Sequence, residues 1–288
     1  MTTVRHEVQE VDPARPAPAR VYDYLLGGGH NFESDRTAAN RIMALVPEIR
    51  DCAWSNRGFH QRAARWLAEH GIRQFIDIGS GLPTVGNTHE VVQHVDPACR
   101  VVYVDNDPMV ETHARELLTD SARVRVVRGD LRDPESVLDH PDTHELIDFS
   151  QPAGLLMTAV VHFVSDGSDP WRLVRRCVSA LAPGSYLALS HLTDDHKPSR
   201  AVGAFCRAFE HATEQLHFRS VGDIARFFDG LELMPPSALE QAGRICYAGD
   251  WGAEDPVLAD SDGSRWLVCG VGRVPGPGAV GFPGRSGS

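Results

Sequence analysis

Basic residues are the scarcer charge in this 288-residue chain: 28 lysines and arginines stand against 39 aspartates and glutamates, for a net charge of −11. That balance repels a phosphate backbone unless the cations cluster strongly, so nucleic acid is not expected as a partner. Long apolar runs are missing as well. None approaches the ~18 residues needed to cross a bilayer, and no basic stretch followed by an apolar one opens the chain. The expectation is a soluble, cytoplasmic protein with no membrane partner. Paired thiols are also lacking: Cys52, Cys99, Cys177, Cys206, Cys246 and Cys269 are dispersed, without a Cys-x-x-Cys. This pattern points away from a zinc or redox site and toward buried thiols in a reducing compartment. No repeat and no long low-complexity linker divides the middle of the chain, which implies one continuous domain.

What is present begins with a 42% hydrophobic share, ample for a buried core. Residues 1–19 hold Pro13, Pro16 and Pro18 among alanines and charges and read as a flexible arm; 275–288 read as a Gly/Pro-rich flexible tail. Residues 20–70 read as an N-terminal helical cap, where Ile42, Leu45, Val46 and Ile49, then Phe59, Ala63, Trp66 and Leu67, recur at helical spacing. From residue 71 to 274 short apolar runs alternate with helical stretches. The strand candidates are 75–78, 101–104, 124–127, 153–161, 186–189, 231–233 and 266–271. An α/β, doubly wound, mostly parallel seven-stranded sheet with an antiparallel last strand follows.

The ends of the first three strands carry the chemistry. Asp77-Ile78-Gly79-Ser80-Gly81 closes the first, and glycines there let the backbone approach a ligand that a Cβ would exclude. A dinucleotide fingerprint needs another glycine three residues beyond Gly81, where Thr84 stands, so a pyrophosphate cradle is incomplete. The second strand ends in Val104-Asp105-Asn106-Asp107-Pro108. Asp105 is placed to accept ribose hydroxyls, and Asp107 reads as a helix cap. The third ends in Gly129-Asp130-Leu131, with Asp130 able to accept from an adenine amino group and Leu131 offering its amide to the ring. Three strands delivering acid or glycine to one edge point to a nucleoside site.

Other candidates keep two readings each. Gly27-Gly28-Gly29 is a hinge between the aromatics Tyr22 and Tyr24 and the polar set His30, Asn31, Asp35 and Arg36; the segment is either a lid or a packed helix and loop. Asn56 and Arg57 could reach a ligand carboxylate, or Arg57 could be a surface residue. His162 and His191 follow the fourth and fifth strands and are either general bases or core hydrogen-bonding groups. Asp194, Asp195 and His196 are adjacent and would point to opposite sides, so a solvated loop rather than a metal site is expected. Tyr247 and Trp251 either wall an acceptor site or belong to the core.

Phe75 to Gly81, Tyr103 to Pro108 and Gly129 to Leu131 resemble the first three motifs of class I methyltransferases. Val21-Tyr22-Asp23-Tyr24-Leu25-Leu26-Gly27-Gly28, Asn31-Phe32-Glu33-Ser34-Asp35-Arg36, Asp77 to Thr84 with Asn87, and Val161-His162-Phe163-Val164 narrow the likeness. They resemble the bacterial S-adenosyl methyltransferase family first catalogued as domain of unknown function 574, over about 18–274, with a departure at 239–250. The resemblance implies the class I, Rossmann-like fold with S-adenosylmethionine as cofactor. It also favours the lid reading, with Tyr22, Asn31, Phe32 and Arg36 toward the substrate. Asp77, Gly79, Gly81, Asp105, Asn106, Asp130, Leu131, Asn56 and Arg57 would then hold the donor, and His162 or His191 would face a small-molecule acceptor. Two competing readings are a sensor that binds the cofactor without turnover and a nicotinamide-dependent oxidoreductase. The sequence does not specify the oligomeric state.

Overall fold

Burial dictates the centre of the molecule. Gln74–Ile78 (β1) is buried at all five positions, because parallel neighbours flank it on both sides and helices cover both faces. A computed structural model of the chain describes residues 11–84, 86–117 and 121–276. The other strands are Arg100–Asp105 (β2), Val124–Arg128 (β3), Gly154–Thr158 (β4), Tyr186–Leu192 (β5), Glu232–Leu233 (β6), Cys246–Tyr247 (β7) and Leu267–Arg273 (β8). They run in the order β3-β2-β1-β4-β5-β8-β6, with β7 also paired to β8. β1 to β5 are mutually parallel; β8 is antiparallel to β5, β6 and β7. Seven strands were expected, and the eighth is β7, too short at two residues to leave a periodic signal. The fourth expected strand was too long: the chain leaves the sheet after Thr158 and turns through a 3₁₀ segment, Val161–Phe163.

Strand order reverses between β1 and β4, which opens a crevice at the carboxyl ends of the strands, the usual ligand site of such sheets. Side chains alternate across the sheet. Phe75, Val101, Leu156 and Ala188 pack on one face against Phe59 and Leu67, whereas Ile76, Val102, Leu155 and Leu187 pack on the other with Val174.

Three N-terminal helices, Pro18–Leu25 (α1), Glu33–Met43 (α2) and Ile49–Glu69 (α3), lie on the first face. Pro18 opens α1 at the position where its missing N–H costs nothing. Further along come Thr88–Val95 (α4), Pro108–Leu117 (α5), Pro134–Leu138 (α6), Pro141–Leu146 (α7), Pro170–Ser179 (α8) and Ser199–Phe209 (α9). Val221–Ala225 (α10) and Pro256–Ala259 (α11) are short.

The described part of the expected arm is tied down: Arg15 donates to the Ala212 carbonyl at 2.8 Å, and the Pro16 carbonyl accepts from Thr213 at 2.9 Å. Ala17 is buried and donates its N–H to Asp35. Hydrogen bonds from the Arg15 side chain and from the main chain at Pro16 and Ala17 therefore anchor residues that composition alone marked as loose. The expected tail lies outside the described residues from 277 onward. Five of the cysteines are buried and Cys206 is exposed. No helix among the described residues is long and apolar enough to cross a membrane.

Candidate active site

At the end of β1, the N–H groups of Gly79 and Ser80 both donate to the Val104 carbonyl. Gly79 has φ +72° and Gly81 φ +67°, the left-handed region that favours glycine. A Cβ on Gly79 would stand 2.3 Å from Val160 Cγ2; one on Gly81 would meet nothing within 4 Å. Gly81 therefore presents bare backbone to open space. Its N–H donates to Asp105 Oδ2 at 2.9 Å, and the Asp107 N–H donates to Oδ1 at 2.9 Å. Burial nevertheless pushes the Asp105 carboxyl up to about 6, outweighing those bonds.

Asp77 lies deeper. Its Oδ2 accepts from the Thr88 hydroxyl at 2.6 Å, and His60 bridges Thr88 (2.8 Å) and Thr158 (2.9 Å) through its two ring nitrogens. Burial raises Asp77 to about 6 and lowers His60 to about 3. At the end of β3, Arg132 clasps Asp130 with Nε (2.9 Å) and Nη2 (2.6 Å) and reaches across to Glu214 at 2.8 and 2.9 Å. Asn106 donates to the same Glu214 at 3.0 Å. These four side chains draw the turn after α9 onto the ends of β2 and β3.

α1 and α3 form the roof. Tyr22 donates to the Ala53 carbonyl and accepts from Asn56 Nδ2, while Asn56 Oδ1 accepts from Ser190. Arg57 donates to the Gly86 carbonyl. Arg20 is buried between Asp35 (3.0 Å) and Asp107 (3.4 Å), so the roof is bolted to the end of β2. Beneath it lies one cavity of about 400 Å³. Its lining includes Asp77, Gly79, Gly81, Asp105, Asn106, Asp130 and Leu131 along the strand ends, and Tyr22, Asn56 and Arg57 above. An apolar arm continues between Leu25, Ile42, Ile49, Phe163, Phe205 and Phe209.

A family model described as S-adenosyl methyltransferase matches residues 4–275. The chain belongs to the S-adenosyl methyltransferase family. It is a methyltransferase of the class I fold, and S-adenosylmethionine is its cofactor. A crystal structure from Thermobifida fusca YX, described provisionally as a methyltransferase, is 42% identical with a TM-score of 0.83, covering 91% of this chain and 96% of that one. A domain of unknown function 574 family protein from Streptomyces avermitilis MA-4680 is 36% identical with a TM-score of 0.85, covering 92% and 100%. No curated protein matches the chain.

In this methyltransferase several expected site residues fall elsewhere. His191 is outside the cavity: it is fully buried, its Nδ1 bonded to the Leu192 carbonyl and its Nε2 to Arg219. With both nitrogens occupied it has no site for an acceptor's proton, which corrects its assignment as a base. His162 does line the cavity. Burial, then the neighbouring His191 and Arg219, hold its pKa well below the ordinary value, and the Leu192 N–H donates to its Nδ1 at 3.3 Å.

Asn31, Phe32 and Arg36 do not line the cavity either. Asn31 bonds Asp23, Arg36 bonds Asn31 and Glu33, and Phe32 opens α2 with the Arg20 guanidinium 5.2 Å from its ring centre. Trp251 and Tyr247 stand outside it as well; Trp251 packs edge-on to Phe59 and Trp66 in the core. Asp195 accepts the Val221 N–H. Arg20, His60, Arg132 and Glu214 were missed; Arg132 stands two residues from Asp130, a local pairing, whereas the contacts of Arg20 with Asp107, His60 with Thr158 and Glu214 with Asn106 span 87, 98 and 108 residues and leave no local signal. The apolar face of α9, with Phe205 and Phe209 four residues apart, forms a wall of the cavity.

Proposed function

We propose that this methyltransferase carries the methyl group of S-adenosylmethionine to a small-molecule acceptor held in the apolar arm of the cavity. The observation that carries the reading is continuity. One hollow runs from the bare backbone at Gly81 and the carboxylates of Asp105 and Asp130 to a wall of Phe163, Phe205 and Phe209. A site for a nucleoside and an apolar site would then meet without a partition.

The open space beside Gly81 fits a ligand pressed against main chain. Asp105 accepts the ribose hydroxyls, with Asn106 beside it; Asp130 and the Leu131 amide take the adenine; Asp77, Asn56 and Arg57 surround the methionine end. When bound, the donor supplies an activated methyl on a sulfonium, so no nucleophilic side chain is required. The work left to the protein is to align two reactants and exclude water, which the roof of α1 and α3 is built to do.

Titration calorimetry tests the first part. Asp105→Ala is expected to weaken S-adenosylmethionine binding about tenfold or more, and unchanged affinity removes the ribose assignment. Labelled donor with a panel of small acceptors tests the second. Transferred label is expected, whereas saturable binding without transfer would make the protein a sensor.

A further inference from the structure

The acceptor arm spends its polar groups on one another. The Tyr22 hydroxyl donates to the Ala53 carbonyl (2.9 Å) and accepts from Asn56 (3.0 Å), and Asn56 Oδ1 takes the Ser190 hydroxyl (2.5 Å). The nearby cations are already committed: Arg20 to Asp35 and Asp107, and Arg57, which donates to the Gly86 carbonyl, to the methionine end of the donor. A charged acceptor entering this arm would lose its hydration with no counter-ion to meet it.

One polar group differs. The Leu192 N–H donates to His162 Nδ1, which puts the ring proton on Nε2. His162 lines the cavity, and among the described residues Nε2 has no hydrogen-bond partner. The ring is held in that attitude by Arg219, whose guanidinium donates to the carbonyls on either side of the His162 turn, Val161 (3.3 Å) and Val164 (2.6 Å), and to Asp166. In this tautomer His162 is a donor and not a base.

A donor without a base selects the nucleophile. An aliphatic hydroxyl needs its proton removed during attack, and no group here is free to take it. A neutral amine has one lone pair, which cannot both accept from Nε2–H and attack carbon. A phenol-type oxygen gives up its proton readily and has lone pairs for both tasks. Aromatic walls from Phe163, Phe205 and Phe209 suit a flat ring.

We infer that the acceptor is an uncharged aromatic small molecule methylated at a phenol-type hydroxyl, with His162 Nε2–H orienting that oxygen. A lone pair on the oxygen forms the new C–O bond as the methyl C–S bond breaks and the bonding electrons go to sulfur, while the phenolic proton passes to a water molecule at the mouth of the cavity and from there to bulk solvent. This rests on the donor-and-acceptor reading above.

The test uses the full chain saturated with S-adenosylhomocysteine and three probes measured by calorimetry: 2-naphthol, 2-naphthoate and naphthalene. The expected order is 2-naphthol at least tenfold tighter than 2-naphthoate. His162→Phe is expected to weaken 2-naphthol about tenfold, to leave naphthalene unchanged and to keep S-adenosylhomocysteine binding. His162→Asn, which can donate again, restores part of the loss. A purely structural histidine would move 2-naphthol and naphthalene together, and that result overturns the inference. So does 2-naphthoate binding as tightly as 2-naphthol, or 2-naphthol failing to bind up to its solubility. If the wild-type chain does not bind S-adenosylhomocysteine at all, it is the underlying donor reading that falls, and this inference falls with it.

Discussion

Asp105 concentrates the residue-scale argument, because burial raises its carboxyl to about 6 while the N–H groups of Gly81 and Asp107 hold both oxygens. Ribose hydroxyls donate to a carboxylate far better than to a carboxylic acid, so binding favours the ionised form. The sign follows: affinity for S-adenosylmethionine rises as pH climbs through about 6 and levels off above it. Calorimetry between pH 5 and 7.5 is expected to show roughly a tenfold gain, about 1.4 kcal/mol. Asp105→Asn is expected to bind weakly with a flat profile. Asp77 is raised to about 6 as well, with Thr88 bonded to it, so a profile that keeps its slope in the Asn variant would transfer the effect to Asp77.

Asp105, Gly79 and Gly81 were legible because a strand end followed by glycine or acid is a local pattern. His191 misled for an equally local reason. Position after a strand does not say which face a side chain takes, and alternation puts Ser190, not His191, on the roof side of β5. The Ser190 hydroxyl accordingly bonds Asn56, and the His191 ring lies under Phe227 on the other face.

At the scale of elements, the parallel strands were readable as apolar runs with helices between them, since burial on both faces leaves an unbroken hydrophobic signature. Of the N-terminal helices α3 was readable by period through Phe59, Ala63, Trp66 and Leu67, whereas Ile42, Leu45, Val46 and Ile49 straddle the break between α2 and α3; how the helices are fastened was not readable. Arg20 joins α1 to α2 through Asp35 and to the end of β2 through Asp107, and those partners stand 15 and 87 residues away. The prolines that suggested a loose arm start a helix at Pro18 and accept from Thr213 at Pro16. Arg20→Met leaves Asp35 buried with only the N–H groups of Ala17 and Phe32. Removing one partner of a buried pair costs about 3–5 kcal/mol. Denaturant unfolding is expected to show a loss in that range, with faster exchange of the Ala17 amide. A loss below about 1 kcal/mol would mean that the roof is held by its apolar contacts alone.

For the whole molecule, the buried ionisable groups compete over pH. His60 and His191 are lowered to about 3 and His162 well below its ordinary value, all by burial first. They are neutral in the fold, but in the unfolded chain they take protons below about 6.5. The stability they contribute is therefore intact at pH 7 and is lost as pH falls, by up to about 1.4 kcal/mol per unit for each histidine. Asp77 and Asp105, raised to about 6, act in the opposite sense, because the fold favours their protonated forms as pH drops through that value. The net charge of −11 also relaxes in this interval, which weakly favours the compact state. Between pH 7 and pH 5 three histidines take protons in the unfolded chain from about 6.5 downward, whereas only two carboxyls take them in the fold, from about 6 downward, so the melting temperature is expected to fall over that interval. His60→Gln keeps a polar side chain between Thr88 and Thr158 and removes one titrating group; because the carboxyls already offset part of the histidine loss, it is expected to flatten that fall by roughly half or more. A melting temperature that holds steady or rises toward pH 5 would mean that the carboxyls, and not the histidines, govern the acid response.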